Sequence, residues 1–231
     1  MLPFVLIAPL ESLIVSAAAH HPGLFVTFEG PECAGKSTQS RLLAERLRAD
    51  GREVLLTREP GGCVLGERLR ELLLHFDGDG GLSPEAELLL FAASRAQITR
   101  QVIRPHLDRG GVVLCDRYLD STVAYQGYAR GFDRDTIAQV NAVATQGLRP
   151  DLTILLDLDA EAIAARANAR GEGGNRFEDE DLAFHRRVID GFRAIAAQEP
   201  GRVRLHDARE PVETLHEAIY EAVRHALAPL R

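Results

Sequence analysis

Five short apolar runs, Leu24 to Phe28, Glu53 to Thr57, Val112 to Cys115, Leu152 to Leu156 and Val203 to His206, alternate along the chain with longer segments of helical periodicity. Runs that are apolar throughout suit strands covered on both faces, and their alternation with helices is how a parallel sheet is written in sequence. The helical segments run from Lys36 to Ala49, Val64 to Leu74, Pro84 to about Gln101, Arg134 to Gln146, Ala160 to about Ala169, Glu180 to Gln198 and Pro211 to Leu227. Breaker clusters such as Pro60-Gly61-Gly62, Gly110-Gly111 and Pro200-Gly201 mark the joints. A chain of 231 residues can close around one core. The expected architecture is therefore a three-layer α/β/α sandwich on a five-stranded parallel sheet.

Composition narrows the classes. A hydrophobic share of 45% and a charged share of 26% are those of a globular protein, which excludes disorder and a membrane fold. A net charge of -7 argues against a nucleic-acid binder, whose affinity would rest on a basic surface. Three cysteines, Cys33, Cys63 and Cys115, make no disulfide framework and point to a reducing, cytoplasmic setting. Residues 1–23 carry two apolar runs broken by Glu11; they lack the positive start of a secretory leader and are too short to cross a bilayer. They are read as an N-terminal extension outside the core formed by residues 24–231.

Directly after the first apolar run stands Gly30-Pro31-Glu32-Cys33-Ala34-Gly35-Lys36-Ser37-Thr38, a match to the spacing G-x-x-x-x-G-K-[ST] between a strand and a helix. Its glycines let the backbone turn so that amides and a helix N-terminus face phosphate oxygens. Lys36 is placed for the β and γ phosphates of ATP, and the Ser37 hydroxyl for Mg²⁺. Lys36 is also the only lysine beside 26 arginines, so the one compact ammonium falls where a planar fork would fit poorly. A guanine-reading Asn-Lys-x-Asp string is absent, which disfavours a GTP-driven switch.

Three further segments lie at strand ends or on a facing helix, where open α/β sheets bind ligands. They are Thr57-Arg58-Glu59-Pro60-Gly61-Gly62, Phe91-Ala92-Ala93-Ser94-Arg95-Ala96-Gln97, and Asp116-Arg117-Tyr118 continuing through Asp120-Ser121-Thr122 to Ala124-Tyr125-Gln126-Gly127. With the Phe-Glu-Gly before the cradle, these strings resemble the thymidylate kinases of bacterial type, a family of P-loop nucleoside monophosphate kinases, from about Leu24 to the C-terminus.

The resemblance implies transfer of the γ-phosphoryl group of ATP to thymidine 5′-monophosphate. Arg58 and Arg117 match arginines that hold the acceptor phosphate, a task suited to a bidentate fork. Phe91 matches the platform for thymine and Arg95, four residues on and so on the same helix face, a donor to a pyrimidine carbonyl. Tyr125 matches the tyrosine against the deoxyribose, and Gln97, Ser121 and Thr122 fall near the base. Asp116 is expected to position Mg²⁺, and Glu32 sits where the family carries an acid near the acceptor. Residues 166–178 join arginines to glycines, which suits a lid over phosphates. Of these, Arg170 is expected to be catalytic, with Arg166 and Arg176 assisting at ATP. The resemblance also implies a homodimer. Cys33, Cys63, Ser94 and Asn175 depart from the residues usual in bacterial relatives, and a thiol at Cys33 beside ATP is expected to be sensitive to oxidation. The alternatives are a kinase for another nucleoside monophosphate or for a deoxynucleoside, and a non-catalytic ATP-binding switch.

Overall fold

The computed structural model describes residues 21–78, 80–171, 176–178 and 180–228. Its sheet has the order β2-β3-β1-β4-β5, built from β1 (Leu24–Glu29), β2 (Val54–Arg58), β3 (Val112–Asp116), β4 (Leu152–Asp157) and β5 (Val203–Asp207), all parallel. The helices are α1 (Lys36–Ala49), α2 (Val64–His75), α3 (Pro84–Ile98), α4 (Leu119–Thr122), α5 (Arg134–Thr145), α6 (Ala160–Arg170), α7 (Leu182–Gln198) and α8 (Val212–Leu227). The α/β/α layering is as expected, and so are all five strands to within a residue at each end.

The central strands show why their runs carry no polar alternation. In β1, Leu24, Val26 and Phe28 enter one apolar layer with Leu43 and Leu47 of α1 and Ile219 and Val223 of α8. Phe25 enters the opposite layer, with Ile98 of α3 and Val113 of β3. Side chains two apart share a face, so both faces must be apolar when both are covered. The second face is not wholly apolar. Thr27 lies against Thr153 with hydroxyl oxygens 2.7 Å apart, and Glu29, fully buried, ends the strand on that side.

Two helical segments depart from expectation. The helix beginning at Pro84 continues past Ile98 through a wide π turn, Thr99–Ile103, into a final turn at Arg104–Leu107. Pro105 falls where the wide turn passes back into an α-turn, a place where the regular i→i−4 ladder is already interrupted. Likewise α4 runs on through a second wide turn, Val123–Ala129. Ser121, Thr122, Val123 and Gly127 are weak helix formers, so local preference does not announce this element. Packing supplies it: α7 approaches so closely at Gly191 that a Cβ there would stand 2.9 Å from the Tyr128 ring.

Leu43 is fully buried between the sheet and α8. Leu43→Ala should lower unfolding stability by about 2–5 kcal/mol in a urea titration, with the slope of the transition unchanged.

Candidate active site

The cradle lies between β1 and α1. Gly30 has φ +133°, and a Cβ there would sit 2.3 Å from the Leu156 carbonyl oxygen, so only glycine fits where the chain leaves the sheet. Cys33 also takes a left-handed φ of 58°. Glycine adopts that conformation freely, whereas a side chain costs about 1 kcal/mol there. Lys36 is buried and donates to the Pro31 carbonyl at 2.6 Å. Burial, with Arg117 nearby, lowers its pKa against the pull of Glu32 and Asp116. Ser37 donates through its hydroxyl to the Asp116 carboxylate at the end of β3. Arg166 of α6 donates to the Cys33 carbonyl at 3.1 Å.

Cys33, Lys36, Ser37, Asp116 and Arg166 line a polar cleft of about 930 Å³, together with Thr38, Arg58, Arg70 and Arg117. Four arginines and one lysine thus gather in one cleft of a protein whose net charge is -7. A second cleft, of about 550 Å³, opens beside it. Its walls are apolar at Leu74, Phe91, Tyr125 and Phe177 and polar at Arg95, Ser121, Thr122 and Gln126. Glu32, Glu59, Arg70 and Arg117 line both clefts.

Arg117 joins the two. Its φ is +70°, and its amide donates to the Phe28 carbonyl at 2.9 Å. One terminal nitrogen donates to the Gly30 carbonyl at 2.9 Å and to Ser121, the other to Glu32 at 2.7 Å and to the Tyr125 hydroxyl at 3.1 Å. Burial works against both charges. For Glu32 the guanidinium of Arg117 and the ammonium of Lys36 overcome it and lower the pKa; for Arg117 it is Glu32 above all that holds the proton more tightly than usual.

The thymidylate kinase family profile matches residues 28–219. The thymidylate kinase of Syntrophotalea carbinolica is 49% identical over 208 residues, covering 88% of this chain and 96% of that protein. That of a Synechococcus species is 55% identical over 191 residues, covering 82% of this chain and 89% of the other. The crystal structure of thymidylate kinase from Ehrlichia chaffeensis shares the fold at a TM-score of 0.70 and 36% identity, covering 87% of this chain and 98% of that one. The chain belongs to the thymidylate kinase family.

Against that family, Lys36, Ser37, Thr38, Asp116, Arg58, Arg117 and Arg166 all face the first cleft, and Phe91, Arg95, Ser121, Thr122 and Tyr125 the second. Arg58 is half exposed and paired with Glu67 at 2.9 Å. Arg95, 1% exposed, donates to Glu59, Thr122, Asn141 and the Tyr118 carbonyl, leaving one Nη2 N–H without an acceptor among the described residues.

Two expectations need correction. Gln97 lines neither cleft; it lies two residues past Arg95, about 200° around the helix, and donates to Gln101 at 3.0 Å. Arg176 does not face the cradle. Its guanidinium pairs with Glu87 at 2.7 Å and donates to the Leu73 carbonyl, on the far side of the second cleft. The side chain of Arg170 lies outside the described residues, as do residues 172–175.

Five site residues escaped the sequence reading. Arg70 and Glu59 sit between the clefts, Phe177 stands 5.8 Å from Phe91 across the second, and Gln126 lines it. Nothing distinguishes Arg70 from 25 other arginines until the fold is known. The fifth, Glu29, belongs to the Phe-Glu-Gly string but had no role. It accepts from the Tyr118 amide at 2.8 Å, the Ser121 amide at 3.3 Å and the Ser121 hydroxyl at 2.6 Å, fastening the turn that carries Arg117.

Burial, and secondarily the charge of Asp120, raises the Glu29 pKa to about 7. A carboxyl whose pKa is raised by folding adds stability below its unfolded pKa and loses it as pH rises through the folded one. Wild type should therefore lose up to about 3 kcal/mol from this group between pH 5 and 8. Glu29→Gln should flatten that part of the profile; equal slopes for the two proteins in urea titrations would contradict the assignment.

Proposed function

We propose that the protein transfers the γ-phosphoryl group of ATP to thymidine 5′-monophosphate, yielding ADP and thymidine 5′-diphosphate. One observation carries this reading: a polyphosphate cradle and an apolar, aromatic-walled cleft share Arg70, Arg117, Glu32 and Glu59 as a common wall. A phosphate in each cleft would meet at that wall. An oxygen of the acceptor phosphate, already anionic, attacks the γ-phosphorus as the bond to the β,γ-bridging oxygen breaks, so no strong base is required.

The residues act by positioning and by charge. Lys36 and the cradle amides hold the donor, while Arg58, Arg70 and Arg117 hold the acceptor phosphate. Phe91 supplies the face on which the base stacks and Arg95 its remaining N–H for a carbonyl. Tyr125, fixed through its hydroxyl by Arg117 and Glu32, presents its ring to the sugar. The hydroxyl of Ser37 and the carboxylate of Asp116, in direct contact at the cleft mouth, are hard oxygen donors suited to Mg²⁺. When bound, Mg²⁺ would neutralise charge on the phosphates. Arg166 on the cradle and Arg170 near the end of α6 remain the proposed lid arginines.

Residues 24–231 are proposed as the catalytic domain, with residues 1–23 an extension, in a cytoplasmic homodimer. Among the described residues no helix is long and apolar enough to cross a membrane. Leu65 and Leu72 on α2, Leu89 on α3 and Val143 on α5 leave apolar surface exposed on three helices of one side, as a partner copy would require.

Coupled ADP release with Mg·ATP and a panel of nucleoside monophosphates tests the reaction: thymidylate should be preferred, and ADP formation independent of any acceptor would overturn it. Lys36→Ala should lower kcat by about 10²–10³-fold, while Arg95→Ala should act chiefly on the KM of the acceptor.

A further inference from the structure

Glu87 is buried to 1% exposure on α3, one helical turn before Phe91, yet it lies outside both clefts. Two guanidinium groups reach it. Arg130 donates to both carboxylate oxygens, at 3.3 Å and 3.1 Å, and Arg176 stands 2.7 Å from Oε2. Arg130 is itself shared with Glu180. A carboxylate so flanked offers acceptor atoms only. The Gln126 atom 2.7 Å from its Oε1 must then be the amide nitrogen, Nε2.

That contact decides which end of Gln126 is left over. With Nε2 committed to Glu87, the amide presents Oε1; no described residue donates to that oxygen, and Gln126 lines the base cleft. Arg95 contributes the complementary group there, its remaining Nη2 N–H. One fixed acceptor and one fixed donor match the N3–H and C4=O edge of a 4-oxopyrimidine. They mismatch a 4-aminopyrimidine, whose N3 needs a donor.

We infer that Glu87 is a positioning residue that sets the hydrogen-bond polarity of the base cleft by holding the amide of Gln126 in one orientation. This rests on the thymidylate kinase reading and deepens it. Removing the charge would let the amide turn over and present N–H to a cytosine ring, so selection against cytosine is what the residue controls.

The test is the ratio of kcat/KM values for thymidylate, 2′-deoxyuridylate and 2′-deoxycytidylate in wild type and Glu87→Gln. The thymidylate-to-deoxycytidylate ratio should fall at least about 10-fold, and the thymidylate-to-deoxyuridylate ratio should stay constant, because those two bases share the same edge. General damage to the fold would lower all three rates together and leave both ratios intact, which would overturn the inference. Should Glu87→Gln not fold, Gln126→Met decides: it too must lose the selection against cytosine, and an unchanged ratio again overturns the idea. A wild-type enzyme with no thymidylate-dependent activity would instead defeat the reading of the reaction itself.

Discussion

The ion pair between Arg117 and Glu32 sets the spacing of everything else in the site. Glu32 belongs to the cradle that follows β1, Arg117 to the turn that follows β3, and the two strands pair directly, with Phe28 opposite Asp116. Because adjacent parallel strands end side by side, the two loops rise from neighbouring points and their side chains meet without long excursions. The pair is only 14% and 20% exposed, so neither charge could be left there alone without a penalty of several kcal/mol. Each therefore fixes the other, and with it the wall that the two clefts share.

Behind that pair lies a lane of buried polarity that accounts for the conformation of the Arg117 turn. Glu29 takes both backbone and hydroxyl donors from the turn, while Asp120, the next acid along, is held in bidentate fashion by Arg202 at 2.7 Å and 2.9 Å. Arg202 also donates to Thr153, which touches Thr27 on β1. A left-handed arginine is unfavourable in isolation, and such strain persists only where its surroundings over-determine it. Here the turn is held from below by Glu29 and from the side by the Arg202 to Asp120 contact. The same physics recurs at Glu87, a buried carboxylate that gathers Gln126 and Arg130 from one segment and Arg176 from another beside the second cleft.

Much of this was legible before any fold was known, and for identifiable reasons. The strands could be read because burial on both faces demands uninterrupted apolar runs, and the cradle could be read because its glycines, lysine and serine each answer a local requirement. The strings around Arg58, Arg95 and Arg117 carried the acceptor side by family resemblance. Those features depend on neighbours in the chain. What escaped reading depends on neighbours in space. Helix α4 and its wide turn form against α7, Arg70 acquires meaning only between two clefts, and Phe177 becomes a wall of the second cleft only when it reaches Phe91.

Gln97 and Arg176 mark the boundary between the two kinds of information. Both sit in stretches that the sequence singles out, and proximity in sequence suggested proximity to ligand. Helix geometry turns Gln97 away from Arg95, and the buried charge of Glu87 draws Arg176 from the cradle toward the other cleft. By itself the sequence determined the parallel sheet, the phosphate cradle and the family, since periodicity and short-range spacing encode them. The tertiary structure alone decided which of many arginines line the polar cleft and which neutralise buried acids, because that choice is made by pairing between charges far apart along the chain.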